Sequence, residues 1–139
     1  MKRSLPGGLE LDDDAARIDV DAVHRFLSEE SYWARGRTRE QLDALHAASD
    51  RLVGLYAGQR QLGFSRAVRC EGAGLAYLAD VYVLPAYRGR GLGLELVRFS
   101  VEEGPLARLR WLLHTDDAHS LYAKFGFAPS PRLLERPAR

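Results

Sequence analysis

The sequence has few of the side chains that form cross-links or metal centres. Its 139 residues include one cysteine, Cys70, so neither an internal disulfide nor a cysteine-based zinc site can form. Because Cys70 falls in a run typical of a β-strand, we expect a buried, unreactive thiol. The four histidines show no H-x-x-x-H or H-E-x-x-H spacing, so the pattern implies no metal site.

Long apolar runs and an excess of one charge are also missing. No apolar stretch approaches the roughly 18 residues of a membrane helix, and the N-terminus lacks the apolar centre of a signal peptide. The 20 basic residues balance 19 acidic ones, for a net charge of +1, so no overall field attracts nucleic acid or a membrane surface. These absences favour a cytoplasmic protein that binds neither nucleic acid nor membrane.

The composition is that of an ordinary globular protein. Hydrophobic residues make up 46% of the chain and charged residues 28%, and this length supports one hydrophobic core. We therefore predict a single domain over residues 1–139, in which residues 1–8 form a loose N-terminal lead-in.

The spacing of apolar residues predicts alternating helices and strands. A first strand within residues 9–19 precedes two helices, and Thr38 followed by Gln41 predicts a capping box at the second helix. Three strands, a helix over 92–103, a short strand and a short helix follow. The order predicts an α/β fold with a mixed sheet, in which a helical crossover joins one parallel pair. Prolines near the C-terminus leave a final edge strand after residue 130 open.

Three glycines lie where the helix over 92–103 begins. Gly89, Gly91 and Gly93 alternate with Arg88 and Arg90 in the segment RGRGLG. A helix start exposes unpaired amides and a partial positive charge, and glycines let a ligand approach the backbone. The segment therefore predicts a pyrophosphate-binding turn, although a tight turn that merely needs glycine is the alternative.

Two familiar phosphate motifs do not fit this turn. No Lys-Ser or Lys-Thr opens the helix, as the Walker pattern requires. The dinucleotide pattern G-x-G-x-x-G fails because Leu94 occupies its third glycine position.

Two segments together resemble the GNAT N-acetyltransferase superfamily, in particular its small single-domain bacterial-type members. Arg88, Gly91 and Gly93 match the family pattern R/Q-x-x-G-x-G/A. The segment TDDAHSLYAKFGF is similar to the family's N-x-x-A-x-x-x-Y-x-K-x-G-F, with Thr115 where asparagine is commoner. The resemblance implies a mostly antiparallel central sheet with a splayed parallel pair and helices on both faces.

The resemblance also implies a donor and a reaction. Acetyl-CoA is the implied acyl-donor cosubstrate, and its acetyl group passes to a primary amine of a small molecule or protein by direct attack in a ternary complex. The implied partners also include a second copy of the chain, since the family often dimerises. The implied cofactor-binding residues are Val81, Tyr82, Val83, Arg88, Gly89, Arg90, Gly91, Leu92, Gly93, Thr115 and Lys124.

Two residues are candidates for proton transfer. Tyr122 matches the family's catalytic tyrosine, which implies that its phenol protonates the leaving thiolate; a core aromatic is the alternative. Asp80 interrupts an apolar strand, where we expect burial to raise its pKa and suit it to act as the base. An ordinary ion pair or hydrogen bond at Asp80 is the alternative interpretation.

The segment SYWARGR between the first two helices is the candidate acceptor site. In the family this loop often borders the acceptor pocket, and Tyr32, Trp33 and Arg37 offer rings and positive charge. The alternative is a hydrophobic plug with solvated arginines.

The identity of the acceptor and the length of the acyl group stay open. A non-catalytic acyl-CoA-binding or sensing module on the same fold is the alternative function.

Overall fold

The computed structural model describes residues 1–139, which form a six-stranded sheet with helices against it. The spatial order of the strands is their chain order, and all neighbours are antiparallel except the last two, which are parallel. The predicted mixed sheet is thus confirmed. The strands are β1 (Lys2–Leu5), β2 (Leu9–Asp12), β3 (Arg51–Ala57), β4 (Arg60–Cys70), β5 (Leu75–Val83) and β6 (Arg110–Leu112). The helices are α1 (Val20–Glu29), α2 (Arg39–Ala47), α3 (Leu92–Val101) and α4 (His119–Ala123).

No helix of the protein has the length and apolar character that crossing a membrane requires.

The starts of α1 and α2 follow their local capping chemistry. Asp19 accepts a hydrogen bond from the amide of Ala22 at 3.0 Å. Thr38 Oγ1 accepts from the amide of Gln41 at 3.1 Å, and Gln41 Oε1 accepts from the amide of Thr38 at 3.0 Å. This reciprocal pair is the predicted capping box, and it satisfies two amides that the first helical turn leaves unpaired.

The N-terminal segment corrects one expectation. Residues 1–8 are not a loose lead-in, because β1 pairs with β2 through a turn in which Gly7 and Gly8 adopt φ values of 78° and 74°. Arg3 then forms ion pairs with Glu95 and Glu103 at α3. These contacts join residues some ninety positions apart, so no local pattern in the sequence reveals them.

One other expectation is wrong, and a point that the sequence left open is answered. Cys70 is exposed rather than buried, because β4 ends at this residue beyond the helices that cover the sheet. No strand forms after residue 130, and β6 is therefore the edge of the sheet.

Helices cover both faces of the sheet, as predicted. On one face α1 and α2 contribute Val23, Phe26, Leu27 and Leu42 to a cluster with Leu52, Phe64 and Tyr82. On the other face α3 contributes Leu92, Leu96 and Phe99 to a cluster with Val53, Leu55 and Leu62. The short helix α4 packs beside α3 through Tyr122, which joins Leu78, Val97 and Val101.

One extra residue in β5 breaks the regular pairing with β4. Phe64 lies opposite Tyr82 and Arg66 lies opposite Ala79, so two steps along β4 correspond to three along β5. Asp80 is the only non-glycine residue with positive φ, at 54°. Such a β-bulge re-aims a side chain and bends its strand. Pairing of β5 with β6 stops at Tyr77, so residues 79–83 have no strand partner on that side.

A buried guanidinium ties β3 to the C-terminal end of α3. The side chain of Arg51 is only 3% exposed and forms an ion pair with Asp13 at 3.0 Å. It also donates to the carbonyls of Phe99, Ser100 and Glu103 at 2.8, 3.0 and 2.7 Å. The last carbonyls of a helix lack partners within the helix, so Arg51 acts as a cap supplied from the sheet.

We expect Arg51→Ala to destabilise the protein by about 3 kcal/mol, because it leaves buried carbonyls and Asp13 without their donor. Urea unfolding followed by circular dichroism measures this loss. The control is Arg69→Ala, which removes an exposed arginine paired with Asp50 and Glu71 and is expected to cost less than about 1 kcal/mol. Equal losses in the two variants would contradict the capping role.

Candidate functional site

The glycine turn before α3 presents a run of unpaired amides. Gly89 and Gly91 adopt φ values of 78° and 76°, and α3 begins at Leu92, with Gly91 as an N-cap residue that provides no side-chain cap. The backbone N–H groups of residues 89–94 donate to no backbone acceptor. A β-carbon at Gly89, Gly91 or Gly93 would meet no protein atom within 4 Å. The turn therefore offers clustered donors and open space beside them, which is the arrangement that binds phosphate groups.

A cleft of about 600 Å³ runs from this turn along the open edge of β5 to α4. We call it the glycine cleft. The sequence-predicted residues in its wall are Tyr32, Trp33, Val81, Tyr82, Val83, Arg88, Gly89, Gly91, Leu92, Gly93, Tyr122 and Lys124.

Some of these residues can offer the cleft little more than their backbone. The ring of Tyr82 stacks on Phe26 with centroids 3.9 Å apart, and Leu92 is buried in the core under α3. Arg90 is outside the cleft wall, and its guanidinium lies over the ring of Tyr87 at 5.4 Å. Tyr82 and Leu92 can therefore offer a ligand in the cleft main-chain groups rather than side chains.

A second cavity, of about 560 Å³, adjoins the glycine cleft at Tyr122 and is lined by residues 113–118 before α4. We call it the triad cavity, after the ion triad of Arg37, Arg66 and Asp80 in its wall. Asp80 Oδ2 accepts from Arg37 Nη1 at 2.7 Å and from Arg66 Nε at 2.6 Å, and Oδ1 accepts from Trp33 Nε1 at 2.9 Å. The bulge makes this possible, because it turns the Asp80 side chain to the face that carries Arg66.

The ion triad reverses the expected pKa of Asp80. Burial by itself raises the pKa of this carboxyl, but the hydrogen bond and charge of Arg66, the charge of Arg37 and the hydrogen bond from Trp33 outweigh it. The pKa of Asp80 therefore lies below its ordinary value, and the predicted rise is wrong. A carboxylate held in this way is a weak proton acceptor.

Tyr122 lies where the two cavities meet. It lines both, together with Tyr32, Trp33, Val81, Asp117 and Ala118. The side chain is largely buried, and desolvation, with smaller effects from Tyr32 and Asp117, raises the pKa of Tyr122 to about 12. The phenol is thus protonated at neutral pH. Part of the side chain also packs in the core beside Leu78, so the packing and chemical interpretations are compatible.

Two further predicted residues lie in the wall of the triad cavity, and one of them, Tyr32, also lines the glycine cleft. Tyr32 is exposed, and its hydroxyl accepts from the amide of Asp116 at 3.0 Å and donates to Asp117 at 3.4 Å. Thr115 lines the triad cavity rather than the glycine cleft, and its hydroxyl accepts from the amide of Ala118 at 3.1 Å.

Three charged residues of the triad cavity escaped the sequence reasoning. Arg66 is on β4, and its contact with Asp80 depends on a bulge that the sequence does not announce. Asp116 and Asp117 directly precede the predicted short helix and lie inside the matched segment TDDAHSLYAKFGF, at positions where the family pattern specifies no residue.

Comparisons with known proteins agree with this geometry. The model of the acetyltransferase (GNAT) domain matches residues 46–129. A Gibberella zeae protein with the provisional name of acetyltransferase is 30% identical over 129 aligned positions, covering 76% of this chain and 71% of that protein.

Solved structures have the same fold. A provisionally named acetyltransferase of the GNAT family from Xanthomonas campestris shares 33% identity, with a TM-score of 0.85 and coverage of 97% of this chain and 96% of that one. A GNAT family acetyltransferase from Brucella melitensis, solved in complex with acetyl-CoA, shares the fold at 24% identity, with a TM-score of 0.66 and coverage of 87% and 83%.

We expect Asp80→Asn to destabilise the protein by about 3 kcal/mol at neutral pH, because it leaves two partly buried guanidinium groups without their counter-charge. An aspartate whose pKa is lowered by folding stabilises above its unfolded-state pKa, near 4, and this contribution disappears as the pH falls through the folded-state pKa. The difference between wild type and variant therefore narrows below about pH 4.

Urea unfolding at neutral and acidic pH measures the effect. The control is Asp43→Asn, an exposed partner of Arg39 within α2, for which we expect a change below about 0.5 kcal/mol. A loss for Asp80→Asn that is the same at both pH values would contradict the charge-based account.

Proposed function

The chain belongs to the GNAT acetyltransferase family, and we propose that it transfers an acetyl group from acetyl-CoA to a primary amine by direct attack in a ternary complex. The observation that carries this proposal is the position of Tyr122 in the wall shared by two cavities. The glycine cleft is the proposed donor site and the triad cavity the proposed acceptor site. Tyr122 is then a proton donor at the place where the thioester and the amine would come together.

The glycine cleft has the features that acetyl-CoA needs. The free amides of residues 89–94 suit the pyrophosphate, and Arg88 and Lys124 add positive charge in the same wall. The unpaired edge at Val81, Tyr82 and Val83 offers main-chain partners to the amide-bearing pantetheine arm, as a sheet edge does to an added strand. When bound, acetyl-CoA supplies an acetyl group activated as a thioester.

Tyr122 is the proposed general acid. As the carbon–nitrogen bond forms and the carbon–sulfur bond breaks, its phenol gives a proton to the departing thiolate and the amine nitrogen gives one to water, which then returns a proton to the phenolate. Because its pKa is raised to about 12, the phenol of Tyr122 still carries its proton at neutral pH when the thiolate leaves. We assign Asp80 a positioning role instead of the base role, because its carboxylate holds Trp33, Arg37 and Arg66 in place.

We expect Gly91→Glu to abolish the rise in melting temperature that acetyl-CoA or CoA produces in the wild type. The substitution places a side chain and a negative charge beside the free amides and strains a backbone with φ of 76°. Thermal shift at millimolar ligand measures the binding. The matched control is Gly7→Glu in the β1–β2 turn, which has the same strain at φ of 78° but lies away from the cleft. Retained stabilisation in Gly91→Glu would argue against the turn as the pyrophosphate site.

We expect Tyr122→Phe to lower kcat by roughly 100-fold or more, because it removes the acid but keeps the ring that packs in the core. The thermal shift with CoA stays unchanged. In the wild type, kcat shows no fall from tyrosine ionisation near pH 10, since the pKa of Tyr122 is about 12. The control is Tyr87→Phe. The Tyr87 hydroxyl accepts a hydrogen bond from Arg60, away from the wall that the two cavities share. An undiminished kcat in Tyr122→Phe would remove Tyr122 from the acid role.

A screen for thiol release separates the enzyme from a non-catalytic acyl-CoA-binding module. Free CoA thiol is measured with acetyl-CoA and a library of primary amines. Amine-dependent release supports the enzyme, whereas binding of acetyl-CoA without release from any amine supports the binding module.

A further inference from the structure

We propose that the acceptor is a small amine that also carries a carboxylate, bound with the carboxylate against Arg37 and Arg66 and the amino group toward Asp117 and Tyr122. The acceptor class is therefore that of a free amino acid or a close analogue. This inference rests on the proposed function, because it names the acceptor of the same reaction.

The ion triad has an excess of positive charge. Two guanidinium groups bind the same oxygen of Asp80, and their side chains are only 17% and 11% exposed, for Arg37 and Arg66 respectively. One carboxylate leaves one positive charge without a partner in a confined wall. Since a poorly solvated charge is costly unless it is paired, this end of the triad cavity favours an anion.

Free donors accompany this charge. Arg37 reaches Asp80 through Nη1 and Arg66 through Nε, and no other nitrogen of either guanidinium has a protein acceptor. None of these nitrogens is among the polar atoms that are both sealed from solvent and unpaired. Their N–H groups are therefore accessible to a ligand, and planar guanidinium groups match the two oxygens of a carboxylate.

The size of the excess positive charge favours a carboxylate over a phosphate as the anion that binds to the ion triad. A carboxylate carries one negative charge, which matches the one unpaired positive charge of the triad. A phosphate monoester carries about two at neutral pH, and its second charge would face Asp80, Asp116 and Asp117 in the same cavity.

The opposite end of the cavity suits the amino group. Asp117 lies in the wall shared with the glycine cleft, beside Tyr122, whereas Arg37 and Arg66 line the triad cavity but not the cleft. A zwitterionic amine is thereby oriented, because its carboxylate is attracted to the two arginines and its ammonium group to the carboxylate of Asp117 in the shared wall. This orientation directs the nitrogen toward the thioester.

The test compares matched acceptors in the thiol-release assay. Each common free amino acid is paired with its C-terminal amide, which keeps the side chain and the amine but lacks the carboxylate. At saturating acetyl-CoA we expect kcat/KM for the preferred acid to exceed that for its amide by roughly 10-fold or more.

Two arginine variants then test whether Arg37 and Arg66 bind the carboxylate of the acceptor. Arg37→Gln and Arg66→Gln are each expected to raise KM for the acid by roughly 10- to 100-fold, the loss expected for a hydrogen bond to a charged group, while KM for the amide changes little. The control is Arg35→Gln, the same charge change in the same loop, because Arg35 is exposed and lines neither cavity. If Arg66→Gln does not fold, as judged by its thermal shift with acetyl-CoA, Arg66→Lys replaces it and is expected to raise KM for the acid by a smaller factor.

The outcomes separate this inference from the proposed function. Thiol release that is as fast with amides as with acids overturns the acceptor class and leaves the acetyltransferase assignment intact. A preference for acids that survives both arginine substitutions overturns the role of the triad. Release from other primary amines but from neither series likewise overturns the acceptor class. Stabilisation by acetyl-CoA without thiol release from any primary amine overturns the proposed function, and this inference falls with it.

Discussion

At Asp80 the backbone of β5 takes a left-handed conformation, with φ of 54°, and its carboxylate binds Trp33, Arg37 and Arg66. A non-glycine residue in this conformation costs of order 1–3 kcal/mol and persists only where its surroundings hold it. Three donors from the α1–α2 loop and β4 provide that hold. The bulge also interrupts the regular pairing between β4 and β5 at the point where β5 has already parted from β6. Asp80 is thus a strained residue that lies both at the splayed edge of the sheet and in the charged wall of the triad cavity.

The two cavities follow from this local geometry and from the way α3 and α4 are anchored. Arg51 holds the end of α3 against β3, so the glycine turn at its start has a fixed position relative to the sheet. The helix α4 packs through Tyr122 beside α3, and this packing places Tyr122 in the wall that the glycine cleft and the triad cavity share. The same tyrosine is a core residue and the group between the cavities, because its ring packs while its phenol has no hydrogen-bonding partner in the protein.

Electrostatics distinguishes the two cavities. The glycine cleft offers neutral amides with added positive charge from Arg88 and Lys124, which suits a large anionic donor. The triad cavity has a surplus guanidinium charge at one end and Asp117 at the other, which suits an acceptor that carries both charges. Asp80 itself is ionised and paired within this arrangement, and its lowered pKa makes it a weak proton acceptor.

The sequence by itself determined the features that depend on neighbours along the chain. These include the Thr38–Gln41 capping box, the order of most helices and strands, and the turn at Gly89, Gly91 and Gly93, because capping, periodicity and glycine conformation act over a few residues. The tertiary structure alone decided the features that depend on distant partners. Arg3 meets Glu95 only after the N-terminal hairpin forms, and the pKa of Asp80 falls only when Arg37 and Arg66 converge on it. Charge interactions depend on distance in space, which spacing along the chain does not specify.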